Sequence, residues 1–148
     1  MDEHSAHNSS AAGRKLQVIV VTPETTLLDE RADFVALPLY DGELGVAPLH
    51  SPMIGRLGYG ELRIVQAGQT RRYYVDGGFV QVAADVVSVL TNRALRAEEL
   101  DAAVAEEQLA VARQRPANSP ELMAAREKNI AQARAQARVA RHAGRAGH

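Results

Sequence analysis

Two periodicities divide the chain. From Lys15 to about Asn92 apolar residues come in short runs or alternate with polar ones, as strands require. Leu16–Val21 (LQVIVV) is β-branched and stops at Thr22-Pro23. Residues 32–40 are apolar enough for a strand, with Pro38 placing it at a sheet edge or a bulge. Leu62 and Ile64 alternate with Glu61 and Arg63, which predicts one buried and one wet face. Residues 71–75 and 79–82 flank Asp76-Gly77-Gly78, which reads as a hairpin turn with positive φ. Asp85 marks another turn before Val86–Leu90. Short strands punctuated by turns predict an antiparallel β-sandwich or barrel.

After Asn92 the period becomes helical. Residues 97–115 are rich in Ala, Glu and Leu, with Leu100, Val104 and Val111 along one side. Glu98, Glu99 and Asp101 fall in the expected first turn, where they favour the helix dipole. Pro116 and Asn118-Ser119-Pro120 then break the chain, and Ser119 caps a second helix with Pro120 at its first position. That helix runs to about His142 and ends near Gly144, with Met123, Ile130, Ala133, Ala137 and Ala140 as its candidate buried stripe. Small side chains bury little area, so at ~25 cal/mol per Å² a hairpin of these helices is held weakly. The expected organisation is a tail over 1–14, a β domain over 15–93 and a helical hairpin over 94–148.

Composition adds constraints. A 46% apolar fraction is enough for a core, and with 4% aromatics that core is aliphatic. The absence of cysteine excludes disulfides and thiolate metal sites and fits a reducing compartment. No apolar run reaches the ~20 residues of a membrane-spanning helix. Residues 1–14 lack the apolar stretch of a secretory signal and read as disordered. The net charge of −1 conceals an asymmetry. Residues 1–112 hold nine Lys and Arg against sixteen Asp and Glu, while 113–148 hold eight against two. A basic end on an acidic body suits a negative partner: nucleic acid, lipid headgroups or an acidic protein surface.

The segment 42–53, Gly-Glu-Leu-Gly-Val-Ala-Pro-Leu-His-Ser-Pro-Met, resembles the GELGxxPxHxP loop of F-type ATP synthase epsilon subunits. Gly60-Glu61-Leu62-Arg63-Ile64 is similar to the strand that follows in that family, and 74–82 to its Gly-Gly hairpin. The resemblance implies an α+β chain: a β-sandwich of about ten strands, then an antiparallel two-helix hairpin. It implies a sandwich gripping the gamma subunit and resting on the c-subunit ring. The hairpin would lie folded or extend toward the alpha/beta catalytic head, restraining ATP hydrolysis in some members. Such a subunit has no catalytic residue, metal or cofactor of its own. It is peripheral, on the cytoplasmic face of a bacterial plasma membrane, and meets the membrane only through the complex.

Individual residues carry these expectations unequally. Asp41, Gly42, Glu43, Leu44, Gly45 and His50 are the implied interface with the c ring and gamma. Glu43 is the foremost ring contact, against the plainer reading of a solvated turn with Gly42 and Gly45 supplying backbone freedom. His50 has no second histidine or acid spaced for catalysis and reads as an interface histidine. Arg126, Arg134, Arg138 and Arg141, with Arg145, read either as a solvated face or as forks for carboxylates on the head. Some family members bind ATP through an I/L-D-x-x-R-A motif. Here 100–105 is Leu-Asp-Ala-Ala-Val-Ala, so Asp101 remains but Val104 replaces the arginine, and Gln132 and Gln136 stand where further arginines are expected. A degenerate ATP site is the most this pattern allows. Two other classes compete. A nucleic-acid-binding module would use the basic terminal helix, which lacks aromatics for stacking. A small β-barrel enzyme would need a nucleophile–base pair that the sequence does not offer.

Overall fold

The computed structural model describes residues 13–146, the last two through their backbone alone. Most of the expected tail, 1–12, therefore lies outside the described residues, while Arg14 is fixed by an ion pair to Asp85 at 2.6 Å. Eight strands follow: β1 (Leu16–Val21), β2 (Thr26–Ala32), β3 (Phe34–Leu39), β4 (Gly42–Val46), β5 (Met53–Gln66), β6 (Gln69–Ala83), β7 (Val86–Leu90) and β8 (Ala94–Arg96). A 3-10 turn, Ala97–Glu99, leads to α1 (Ala102–Arg113) and α2 (Pro120–Ala146). The expected sandwich and helical hairpin are both present. The strand number is smaller than about ten because β5 and β6 are single strands of 14 and 15 residues.

The strand order is β2-β1-β7-β6-β5-β3-β4, with β8 also paired to β6. Every ladder is antiparallel except β1 with β7. The sheet closes over an aliphatic core that includes Val18, Val20, Leu37, Leu62, Ile64, Val80 and Val87. Pro38 sits where the β3–β5 register shifts, so of the edge or bulge expected from its missing N–H it occupies the bulge. The tight turns are Ala67-Gly68 and Ala84-Asp85, all at positive φ as two-residue hairpins prefer.

Asp76-Gly77-Gly78 is not a turn. The β5–β6 ladder keeps one register from Met53↔Val82 to Gln66↔Gln69, so β6 passes straight through these residues. What changes there is the facing of the ribbon. Leu57, Val80 and Val82 point into the core on one side of the point, and Leu62, Ile64 and Val75 on the other. The strict alternation of a strand is broken by one residue in each chain. Gly77 and Gly78, at φ +71° and +110°, supply the conformations that permit it. At the same point β6 exchanges one edge partner for another, pairing β8 through 73–75 and β7 through 79–83. A Cβ on Gly78 would lie 1.9 Å from the Leu90 carbonyl oxygen. The domain boundary expected at 93 falls before β8, so the sheet extends three residues further, to Arg96.

The first helix begins later than its composition suggests. Glu98 and Glu99 belong to the 3-10 turn, and Asp101 is the N-cap of α1, its carboxylate accepting from the amides of Ala103 (2.9 Å) and Val104 (3.3 Å). Ser119 caps α2 as expected, accepting from Leu122 N–H at 3.2 Å. Helix α2 continues past Gly144 to Ala146. It lies between α1 and the sheet, and has two buried stripes. Ala133, Ala137 and Ala140 form the stripe whose angular position meets the Ala105 and Ala112 face of α1, while Ala135 and Val139 pack on Tyr74 and Ala97. Val104 and Val111, expected along the apolar side of the first helix, are 48% and 52% exposed, and Met123, expected in the buried stripe of the second, is also exposed. Close approach selects alanine for the seam, which turns the larger valines outward.

Gly78→Ala is expected to destabilise the sandwich by at least ~3 kcal/mol, combining a backbone clash with strain. Gly68→Ala, where nothing lies within 4 Å of the place a methyl group would occupy, should cost only ~1–2 kcal/mol. Urea denaturation of both variants checks this, and equal losses would contradict the role of Gly78 in the change of facing.

Candidate interaction surfaces

The conspicuous loop divides into parts with different duties. Asp41 is exposed between β3 and β4, and Gly42 is exposed at the start of β4. Leu44 packs against the core, and Gly45 lies under the Phe34 ring, where a Cβ would come within 2.9 Å of that side chain. Gly45 is thus a packing requirement on β4 rather than a source of turn flexibility. Glu43 is exposed but not free, because Arg63 on β5 donates to both its oxygens, at 3.0 and 3.5 Å. His50 lies beyond the far end of β4, its Nδ1 2.7 Å from the Ser51 carbonyl. The preceding Leu49, at φ +70°, is fixed by its N–H to Asp85. Glu43 sits beside the middle of β5 and His50 near its start, so the structure does not gather them into one cluster.

The hairpin docks on a part of the sheet that strand alternation marks as wet. Glu61 and Asp76 are only 9% and 8% exposed, because α2 covers them. Asp76 Oδ1 accepts from the Tyr74 hydroxyl (2.6 Å) and from Gln132 Nε2 of α2 (2.8 Å). Its N–H donates to Thr91 Oγ1, and its carbonyl accepts from Asn92 Nδ2. Burial, then the bond to Asp76, pushes the Tyr74 phenol well above its ordinary pKa, and a bond from Gln136 opposes that rise only partly. Tyr74 therefore remains a donor. Glu61 Oε1 accepts from Arg72 at 2.8 Å and Arg63 at 3.4 Å, and Oε2 lies 2.9 Å from His142 Nδ1 of α2. Sequence reasoning missed Glu61, Asp76, Gln132, Gln136 and His142 as docking groups. The available signal was polar residues recurring at helical spacing on the sheet-facing side of α2.

The arginines of α2 also separate. Arg126 donates to the Arg113 carbonyl at the end of α1 (2.8 Å), and Arg141 pairs with Glu106 of α1 (2.7 Å). Arg134 and Arg138 are exposed. Two of the four candidate forks thus tie the hairpin to itself while it is folded. Asp101 serves as a helix cap, and Gln132 bonds the sandwich.

On the other half of the β5–β6 ribbon the outer face is uncovered and apolar. Arg56, Phe79, Leu90 and Val21 are successive cross-strand partners over β5, β6, β7 and β1. Ile54 is 75% exposed and Phe79 58%. Arg56 lies over the Tyr40 ring, 4.3 Å from its centroid. A groove of about 680 Å³ opens along Tyr40, Phe79, Leu90 and Gly77. Contiguous side chains this large and exposed mark an interaction surface. Among the described residues there is no group of acids and histidines that could hold a metal, and no helix long and apolar enough to cross a membrane.

Residues 15–97 match the family model described as the ATP synthase delta/epsilon chain, beta-sandwich domain. The ATP synthase epsilon chain of Rhodopirellula baltica is 50% identical over 126 residues, covering 85% of this chain and 98% of the relative. That of Granulibacter bethesdensis is 40% identical over 128 residues, covering 83% and 95%. The fold matches a chain of the Euglena gracilis mitochondrial ATP synthase, from an OSCP/F1/c-ring assembly in rotational state 1. The TM-score is 0.75 at 22% identity, over 81% of this chain and 78% of that one. It also matches a chain of the Tetrahymena thermophila mitochondrial ATP synthase central stalk and c-ring, with TM-score 0.67 at 15% identity, over 86% and 97%. These relations support neither a nucleic-acid module nor a separate β-barrel enzyme. By the family match and by relatives aligned along nearly its whole described length, the chain belongs to the delta/epsilon family of ATP synthase chains, on the epsilon side.

Proposed function

We propose that the chain is a non-catalytic central-stalk rotor subunit of an F-type ATP synthase, joining the catalytic head to the membrane c ring in proton-driven ATP synthesis. The uncovered apolar row through Phe79, Leu90 and Ile54 carries this reading, and we assign the gamma subunit as its occupant. Asp41 and Glu43 are the groups offered to the polar loops of the c ring. Arg134 and Arg138 are offered to acidic segments of the alpha/beta head, and opening of the hairpin adds Arg126 and Arg141 to them. The chain works without an active site or cofactor. It is held at the cytoplasmic face of a bacterial plasma membrane by the complex alone.

Direct nucleotide sensing has no place in this reading. Asp101 satisfies the α1 terminus, Val104 cannot neutralise phosphate, and Gln132 is bonded to the sandwich. Control of the hairpin falls instead to its protein contacts.

Two outcomes test the assignment. The paired change Ile54→Asp, Phe79→Asp should weaken gamma binding by at least about tenfold. Both side chains are exposed, so stability should move by less than ~1 kcal/mol. Isothermal titration of the folded variant against gamma reads this, and undiminished affinity would place gamma elsewhere. Glu43→Lys should lower proton-driven ATP synthesis in reconstituted complex relative to uncoupled hydrolysis. Losing its half-exposed pair with Arg63 costs the isolated chain no more than ~1 kcal/mol. Full coupling in that variant would remove Glu43 from the ring contact.

A further inference from the structure

The candidate ring contact and the hairpin share one chain of charged groups. Glu43 on β4 is held by Arg63, Arg63 also reaches Glu61, and Glu61 reaches His142 on α2. Arg72 donates to the same Glu61 oxygen as Arg63. A recess of about 330 Å³ between sheet and hairpin runs past these groups, with Glu43 and Arg138 at its sides. Burial works against the Arg63 charge. The bonds to Glu43 and then to Glu61 outweigh it, so the guanidinium pKa lies above its ordinary value. Arg63 is therefore a shared cation, divided between an exposed carboxylate and a buried one.

We propose that this chain couples the engagement of Glu43 by a cationic group of a partner to release of the helical hairpin. With Glu43 bonded to Arg63, two carboxylates face two arginines, and Glu61 Oε2 remains available to His142. A cation that draws Glu43 away leaves Arg63 and Arg72 both directed at Glu61. The carboxylate is then better satisfied without the imidazole, and the local excess of positive charge, to which Arg138 adds, opposes the end of α2. Charged groups at this separation and partial burial interact strongly enough to bias a weakly docked element. The hairpin's alanine seam provides little apolar contact to resist that bias. The inference rests on Glu43 as the ring-facing group, and it makes docking of the stalk on the ring a signal to the hairpin.

The test uses the isolated full chain, which has no native cysteine. Spin labels on Gln69→Cys and Ala125→Cys, both exposed positions, report the ratio of released to docked hairpin by pulsed distance measurement. Glu43→Gln imitates loss of the Glu43 charge and should raise that ratio by about three- to tenfold, in the lower part of the range of couplings between residues of one ion-pair network. His142→Ala should raise it as well. Adding Glu43→Gln to His142→Ala should then produce a much smaller rise, because the bonded endpoint of the chain is gone and only the repulsion of Arg138 is left. Glu24→Gln, the same charge change at an exposed site away from the cluster, should leave the ratio unaltered. An unchanged ratio in Glu43→Gln, an equal effect of that change with and without His142, or the same rise in Glu24→Gln would each overturn the coupling. Such a failure appears in the isolated chain, whereas failure of the ring contact appears only as normal coupling of Glu43→Lys in the assembled enzyme.

Discussion

The β5–β6 ribbon reverses its facing at Gly58-Tyr59 opposite Asp76-Gly77, and both interaction surfaces follow from that reversal. A strand of 15 residues cannot keep one face buried while its edge partner changes from β8 to β7 unless the backbone yields somewhere. Glycine yields, and at Gly78 no other residue fits against the Leu90 carbonyl. The neighbouring Asp76 is buried as a consequence, and a buried carboxylate must be hydrogen-bonded. It finds Tyr74 within the sheet and Gln132 in α2. The reversal thus creates both an uncovered apolar half and a polar half that needs the hairpin as its lid.

That division explains how the hairpin is held. Its seam is largely alanine, each contributing little transfer free energy when buried. Its position is specified instead by directed polar contacts: Gln132 to Asp76 and His142 to Glu61. Each net contribution is about 1 kcal/mol, somewhat more where a charge is involved. Polar contacts fix orientation well, and water can replace them when the helices leave. An element so held has one preferred place and a modest cost for leaving it, which suits a regulatory arm on a rigid rotor domain.

Much of this was legible in the residues, and the failures have common causes. The change from strand to helix period, the Ser119 cap and the Pro38 bulge each reflect a local requirement, and each is found where it was expected. Asp76-Gly77-Gly78 was misread because two glycines satisfy a hairpin turn and a facing reversal equally well, and only the continuing β5–β6 register distinguishes them. Glu61 reads as wet by alternation, yet tertiary cover from α2 buries it. Val104 and Val111 look like a seam because hydrophobicity ranks them above alanine, whereas close helix packing prefers the smaller residue. The candidate loop was recognisable through 42–53, but Gly45 and Leu44 serve packing, and Glu43, the one acid of the segment, is exposed and paired with Arg63.

A rotor subunit of this kind needs a sandwich that stays folded while its hairpin opens. Native-state hydrogen exchange on the full chain compares the two directly, using amides of α2 from 132 to 142 and amides of Val80, Val82, Val87 and Val89 in the sheet. Once undocked, the hairpin is a marginal helical pair that cannot protect its amides for long. The expected result is that the α2 amides exchange through an opening at least about tenfold more populated than the one exposing the sheet. Exchange of both sets through a single opening, at the free energy of global unfolding, would contradict it.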